Sequence, residues 1–334
     1  MIIVIGASGF IGTYLVDDLI KQGYDVFATG RNPVIMDHYK KNNINCCDLD
    51  ISKKETFNRL PTKNIEAVIL LAALLPANVS RYNPFDYIDI NISGTLNVLE
   101  FCSANNIKKL ISTTSYSDVC NHWEKDKLID PDIYRDYVLK GDHAVYTISK
   151  NAATDLIIHY NNDYGFQGSV FRLPPVYGYG PHSEIYVDGK YYKSGLQIFI
   201  EKAIAGLPIE IFGDKEISRD VVYVKDVTNA FMRAIKSETS KGIYNISSGM
   251  ALTLERQVKD IIDVFCGENG KSKIIFSPDK PNSGRSYVFD ISKGTKDFGY
   301  VPSYIPFKKM LLDYKKEMDS KRFEYMLTAR KKNK

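Results

Sequence analysis

A chain of 334 residues, 44% hydrophobic and 25% charged, suits a globular protein of one large or two moderate domains. A net charge of +4 is too small at this length to argue for nucleic acid, and no apolar run approaches the roughly 20 residues of a membrane span. The five cysteines, Cys46, Cys47, Cys102, Cys120 and Cys266, are odd in number and lack C-x-x-C spacing, which reads as reduced thiols in a cytoplasmic protein without a metal site. A strand that begins at residue 2 is read as excluding a signal peptide.

Ile2 to Ile5 is an apolar strand that runs into Gly6-x-x-Gly9-x-x-Gly12 and then an amphipathic helix, Phe10 to Lys21. This order of strand, glycine turn and helix begins a dinucleotide-binding unit. Gly6 permits the tight turn, Gly9 lets backbone approach a pyrophosphate, and Gly12 lets the helix lie close on the strand. Ser8, Phe10 and Ile11 complete the cradle, and free N–H groups at the helix N-terminus hold the anion. Tyr24 to Thr29 is the second strand. NAD-binding units usually close it with an acid on the adenosine ribose, but this chain has Gly30 and Arg31. A small residue with a guanidinium makes room for a 2′-phosphate and pairs with it, so NADP is favoured and NAD remains possible. The alternative for Arg31 is an exposed loop residue.

Ile44 to Asp48 is the third strand, with Asp48 and Leu49 placed for the adenine. Ala67 to Ala73 is a wholly apolar fourth strand, suited to the centre of a parallel sheet, and Ala72 and Ala73 let a cofactor pass close by. Residues 84–105 are helical and carry Asn91-x-x-Gly94-Thr95. Lys109 to Ser115 is the fifth strand and ends in the hydroxyls of Thr113, Thr114 and Ser115. A helix runs from near His143 to Tyr160, and Gln167 to Leu173 is the sixth strand, followed by Pro174. Asn91, Thr113 and Pro174 are further candidates for cofactor contact. The alternation predicts a Rossmann-type, doubly wound parallel α/β domain over 1–173.

After Arg172 the pattern loosens. Pro174-Pro175 and Tyr177 to Pro181 are turn-rich, and Gly189 to Gly195 reads as a loop. Leu196 to Ala205 is a helix, Pro208 to Phe212 and Arg219 to Val224 are strands, and Val227 to Lys236 is a helix. These predict a smaller mixed α/β substrate domain over 174–320, with chain crossovers. The basic tail, 321–334, is expected to be solvated and partly frayed.

Tyr146 and Lys150 lie one turn apart on one helix face. An ammonium beside a phenol favours the phenolate, lowering its pKa from about 10. Such a Tyr can exchange a proton with an alcohol or carbonyl oxygen. Ser115, at the same edge of the sheet as the cofactor, can bind that oxygen.

With these residues the sequence resembles the extended short-chain dehydrogenase/reductase family, in its nucleotide-sugar epimerase, dehydratase and reductase branch. Gly6-Ala-Ser-Gly-Phe-Ile-Gly12 is similar to its cofactor turn and Tyr146 with Lys150 to its catalytic pair. Asn91-x-x-Gly94-Thr95, Arg172-Leu-Pro-Pro-Val-Tyr-Gly178, Gly213-Asp214, Arg219-Asp220-x-x-Tyr223-Val224-x-Asp226 and Tyr244-Asn245-Ile246 extend the likeness over roughly residues 1 to 315. The resemblance implies an NAD(P)-dependent oxidoreductase. Tyr146 is then the acid/base, Lys150 its partner and ribose ligand, and Ser115 the group that polarises the reacting oxygen, with Thr114 as the neighbour in an alternative register. Arg219 and Arg285 are implied to grip a nucleotide diphosphate, surface ion pairs being the alternative. The helices over 84–105 and 145–162 are implied to pair across a two-fold axis in a homodimer.

Three departures narrow the reaction. The branch's dehydratases place Asp-Glu after the catalytic hydroxyl, whereas Ser115 is followed by Tyr116-Ser117, with Asp118 out of place. Its 4-epimerases usually have an acid where Gly30 stands. A substrate-contacting Asn common in them is Pro175 here. The leading expectation is NADP-dependent reduction of a keto group on a nucleotide-activated deoxysugar. The alternatives are a nucleotide-sugar 4-epimerase and, from another class, a non-catalytic NADP-sensing regulator.

Overall fold

β1 (Ile2–Ile5) is Ile-Ile-Val-Ile and wholly buried. β-branched side chains favour extended backbone, and burial on both faces explains why the run is continuous rather than alternating. The structure, a computed structural model, describes residues 1–332 apart from 80, 126, 127, 182, 183, 188, 189, 269 and 283. After β1 come α1 (Phe10–Lys21), β2 (Val26–Gly30), α2 (Pro33–Lys41), β3 (Asn45–Asp48) and β4 (Ala67–Leu70). Then follow α3 (Pro84–Tyr87), α4 (Gly94–Ala104), β5 (Lys109–Ser115), α5 (Asp142–Asp163) and β6 (Gln167–Leu173).

The next stretch makes β7 (Val176–Tyr177), β8 (Glu184–Val187), β9 (Lys190–Lys193), α6 (Gly195–Ile204) and β10 (Ile209–Phe212). β11 (Ser218–Asp220), β12 (Val222–Tyr223), α7 (Val224–Lys236) and β13 (Gly242–Asn245) follow. β14 (Ala251–Thr253), α8 (Leu254–Phe265), β15 (Ile274–Ser277), α9 (Ser292–Phe298), α10 (Phe307–Ser320) and α11 (Glu324–Lys332) complete the order.

One parallel sheet of seven strands runs β13-β6-β5-β4-β1-β2-β3, a Rossmann-type order with helices on both faces. Successive side chains point to opposite faces, so Ile2 and Val4 join one core with Ile69, Ile111 and Phe171. Ile3 and Ile5 join the other with Val68, Leu70, Leu110 and Val170. The first core is shared with α7, through Val227, Phe231 and Ala234, and with the later helices. After β12 the chain therefore re-enters the larger unit, packing α7 on α1 and closing the sheet with β13.

Several elements differ from the sequence reading. The fourth strand stops at Leu70, because Leu71 and Ala72 both turn their N–H groups onto Ile5 O, at 2.8 and 3.0 Å. The helix over 84–105 is interrupted by a π-helical stretch, Ile88–Ser93. The segment 189–195 is not simply loop, since β9 pairs antiparallel with β8. The strand over 219–224 divides, β11 pairing with β14 and β12 with β7.

The described part of the basic tail, to residue 332, packs on the larger unit. Phe323 and Met326 are buried, the Phe323 ring lies 4.1 Å from that of Tyr14, and Tyr325 stacks on His38 at 3.8 Å. An apolar stripe among the basic residues docks α11 on α2. Among the described residues no helix is long and apolar enough to cross a membrane. None of the described His, Cys, Asp or Glu side chains form a group of three that could hold a metal ion.

Candidate active site

The glycine turn has the geometry its sequence requires. Gly6 has a φ of 91°, and a Cβ there would stand 2.5 Å from Ala72 N; at Gly12 it would stand 2.4 Å from Gly6 O. A Cβ on Gly9 would meet only Gly6 O, at 3.3 Å, so this glycine faces open space at the start of α1. The first turn of α1 holds no acid, leaving its amides available to an anion. Phe10 and Ile11 are half-buried, and the Phe10 ring fills the space beside Gly178, where a Cβ would stand 2.9 Å from its Cζ. This donor set fits a dinucleotide pyrophosphate.

At the end of β2 the absence of an acid has a steric cause. A Cβ on Gly30 would lie 2.2 Å from Ser8 Oγ, so Ser8 already occupies that place. The Arg31 side chain is 61% exposed and stands 3.7 Å from Asp50. Asp48 ends β3 with its carbonyl accepting from Arg59 at 3.3 Å, and Leu49 is buried behind it. Ala72 and Ala73 are half-buried over the sheet edge, Thr113 is half-buried in β5, and Pro174 is buried after β6. Asn91 is buried beside the 72–74 loop. Its carbonyl accepts from Leu74 N at 2.7 Å, and its amide donates to Leu74 O and to Ser149 Oγ at 2.9 Å. It thus ties that loop to α5.

β5 and α5 bring Ser115, Tyr146 and Lys150 together. Ser115 is hydrogen-bonded to Tyr146, while Thr114 Oγ1 is buried without a partner on the opposite face of the strand. Ser115 Oγ also accepts from Ser117 N at 3.2 Å and Ser117 Oγ at 2.9 Å. Burial pushes the Tyr146 phenol up to about 12; the Ser115 hydrogen bond opposes this, while Tyr116, Asp118 and Tyr87 add to it. Burial pulls the Lys150 amine down to about 8. This differs from the expected ammonium-driven acidity of the phenol: desolvation dominates both groups, and Ser115 is the group that favours the phenolate.

Asp118 is fully committed. The Arg172 guanidinium, itself fully buried, holds it by bonds of 2.8, 3.0 and 3.1 Å and also donates to Pro131 O and Asn245 Oδ1. Next to Ser115 in the chain, Tyr116 begins a group of rings, with Trp123, Tyr177 and Tyr287, among which Arg219 and Arg285 stand. The sequence reading singled out the arginines and missed most of these rings. They come from distant segments, and no spacing rule joins them. The number of tryptophans, one, was the only available signal.

Such a cradle beside a Ser–Tyr–Lys cluster is what a nicotinamide-dependent enzyme of the short-chain dehydrogenase/reductase class requires. Residues 2–247 match the NAD dependent epimerase/dehydratase family, and the chain belongs to it. It is therefore an NAD(P)-dependent enzyme of the nucleotide-sugar epimerase and reductase type. It is similar to a putative UDP-glucose 4-epimerase of Methanocaldococcus jannaschii, at 32% identity over 317 residues, covering 90% of this chain and 93% of the relative. It is also similar to the dTDP-4-dehydro-6-deoxyglucose reductase of Escherichia coli, at 22% identity, covering 91% and 93%. In fold it matches the UDP-glucose 4-epimerase of Thermotoga maritima solved with UDP-glucose, with a TM-score of 0.76 at 24% identity, covering 96% of this chain and 98% of that one.

Proposed function

We propose that the protein is an NADP-dependent reductase of a keto group on a nucleotide-activated deoxysugar. The observation that supports this is the end of β2. Ser8 fills the place an acid at position 30 would need, and Arg31 beside it is exposed, held only by a 3.7 Å ion pair to Asp50 that a 2′-phosphate would replace. The commitment of Asp118 to Arg172 argues against an elimination of water, which needs an acid and base of its own. The nicotinamide, when bound, supplies the hydride. Tyr146 delivers the proton to the carbonyl oxygen, Ser115 donates a hydrogen bond to the same oxygen, Lys150 holds the ribose, and Arg219 with Arg285 holds the diphosphate.

A second reading, a nucleotide-sugar 4-epimerase, is favoured by the likeness to the Methanocaldococcus protein. One experiment separates the two. The protein is given NADPH with UDP-4-keto-6-deoxyglucose and, separately, UDP-glucose without added cofactor. Loss of nicotinamide absorbance in the first mixture supports the reductase. Formation of UDP-galactose in the second, with no consumption of NADPH in the first, replaces it by the epimerase.

A further inference from the structure

Arg219 and Arg285 stand in one region of the fold, and no carboxylate pairs with either among the described residues. The Arg219 guanidinium lies over Gly284, where a Cβ would stand 2.0 Å from Nη2, and Arg285 is the next residue. Arg31, Arg135, Arg172, Arg256 and Arg322 each have an acidic partner. Among the described residues Arg219 and Arg285 have none. A guanidinium without a carboxylate partner keeps its donors available to an anion with several oxygens.

What holds Arg285 is a ring. Its Cζ stands 4.8 Å from the centre of Trp123. Trp123 is in turn stacked on Tyr116 at 5.1 Å with a 15° angle between planes, and packs on Tyr287 at 4.7 Å. The two segments are also joined by their backbones, Glu124 N donating to Ser286 O at 3.0 Å and Ile129 N to Val288 O at 2.9 Å. The indole is thus packed by two tyrosine rings, and the guanidinium lies over it.

We propose that Trp123 is the positioning residue for Arg285 in a binding site, shared with Arg219, for the pyrophosphate link of a nucleoside diphosphate. A ring face attracts the guanidinium while leaving all its N–H groups free to donate. A carboxylate in the same place would occupy those groups and repel the incoming anion. The proposal rests on the nucleotide-sugar reading of the site.

Trp123 is the single tryptophan of the chain, so emission excited at the red edge of the absorption band, where the tyrosines do not absorb, comes from this site. Titration of the native protein with inorganic pyrophosphate and with UDP should give a saturable change in that emission. Measured by calorimetry, Trp123→Leu should weaken UDP binding about 3–10-fold and leave NADPH binding unchanged. Trp123→Phe, which keeps a ring face, should recover most of the loss. The proposal is overturned if Trp123→Leu binds UDP as the native protein does, or if the Leu and Phe variants weaken it equally. Arg219→Gln and Arg285→Gln separate the two layers. If neither changes UDP affinity, the substrate reading of the site fails; if both weaken it while Trp123→Leu does not, only the role of Trp123 fails.

Discussion

Lys150 is buried where a charge is costly, and burial pulls its pKa down to about 8. The unfolded chain keeps this proton up to about 10.4. Between the two values the unfolded state binds more protons, so stability rises with pH across that window, and below about 8 the whole penalty stands. A shift of this size is worth about 3 kcal/mol. Lys150→Met should therefore stabilise the cofactor-free protein at neutral pH by ~1–3 kcal/mol, read from its denaturant midpoint, while cofactor affinity and turnover fall. A variant less stable than the native chain would contradict this. Tyr146→Phe removes only a hydroxyl, so NADPH titration should be unchanged while turnover drops about 10²–10⁴-fold. Ser115→Ala should slow turnover more than Thr114→Ala, because the Thr114 hydroxyl faces away from the phenol. Arg31→Ala should abolish most of any preference for NADPH over NADH, since a charged hydrogen bond is worth about 1.5–3 kcal/mol; equal titration curves in the native protein would remove the basis of the NADP reading.

Between elements, the Arg172–Asp118 pair joins β6 to the turn that follows β5, and through Asn245 it reaches β13. Asp118→Leu alone leaves a buried guanidinium unpaired and should cost about 3–5 kcal/mol, seen as a fall in Tm. Arg172→Met combined with it should recover much of that loss; a double variant as unstable as the single would show that hydrogen bonds to Pro131 and Asn245, rather than the charge pair, hold this joint. β5 and β6 were legible to the residue, because each carries a short β-prone apolar core, Leu110-Ile111 and Val170-Phe171, with a turn-forming or helical stretch on either side. The π-helical stretch at Ile88–Ser93 was not, since six residues are too few for its period to be told from that of an α-helix. β9 was hidden by Gly-Lys-Tyr-Tyr-Lys-Ser-Gly, whose glycines read as turn. At the site, the glycine turn and the Tyr146/Lys150 spacing were readable because local geometry fixes them. The packing of Trp123 on Tyr287 was not, because it joins residues 164 apart in the chain.

For the whole molecule, the exposed apolar residues Phe85, Ile88, Leu96 and Ile148 lie on α3, the π-helical stretch, α4 and α5, with Phe85 74% exposed. We propose that they are covered in a homodimer. Light scattering should give twice the chain mass at micromolar concentration, and Phe85→Asp should give the monomer; a native monomer would rule the arrangement out. The docking of Phe323 and Met326 against the opposite flank has a consequence for synthesis. α1 and α2 leave the ribosome roughly 280 residues before these partners do, which at about 5–20 residues per second is about 15–60 s. For that time the nascent chain presents Tyr14 and its neighbours uncovered, a natural place for a chaperone to hold. Chains released prematurely after α10 would contain every residue of the glycine turn and the Ser–Tyr–Lys cluster, yet would never close that flank.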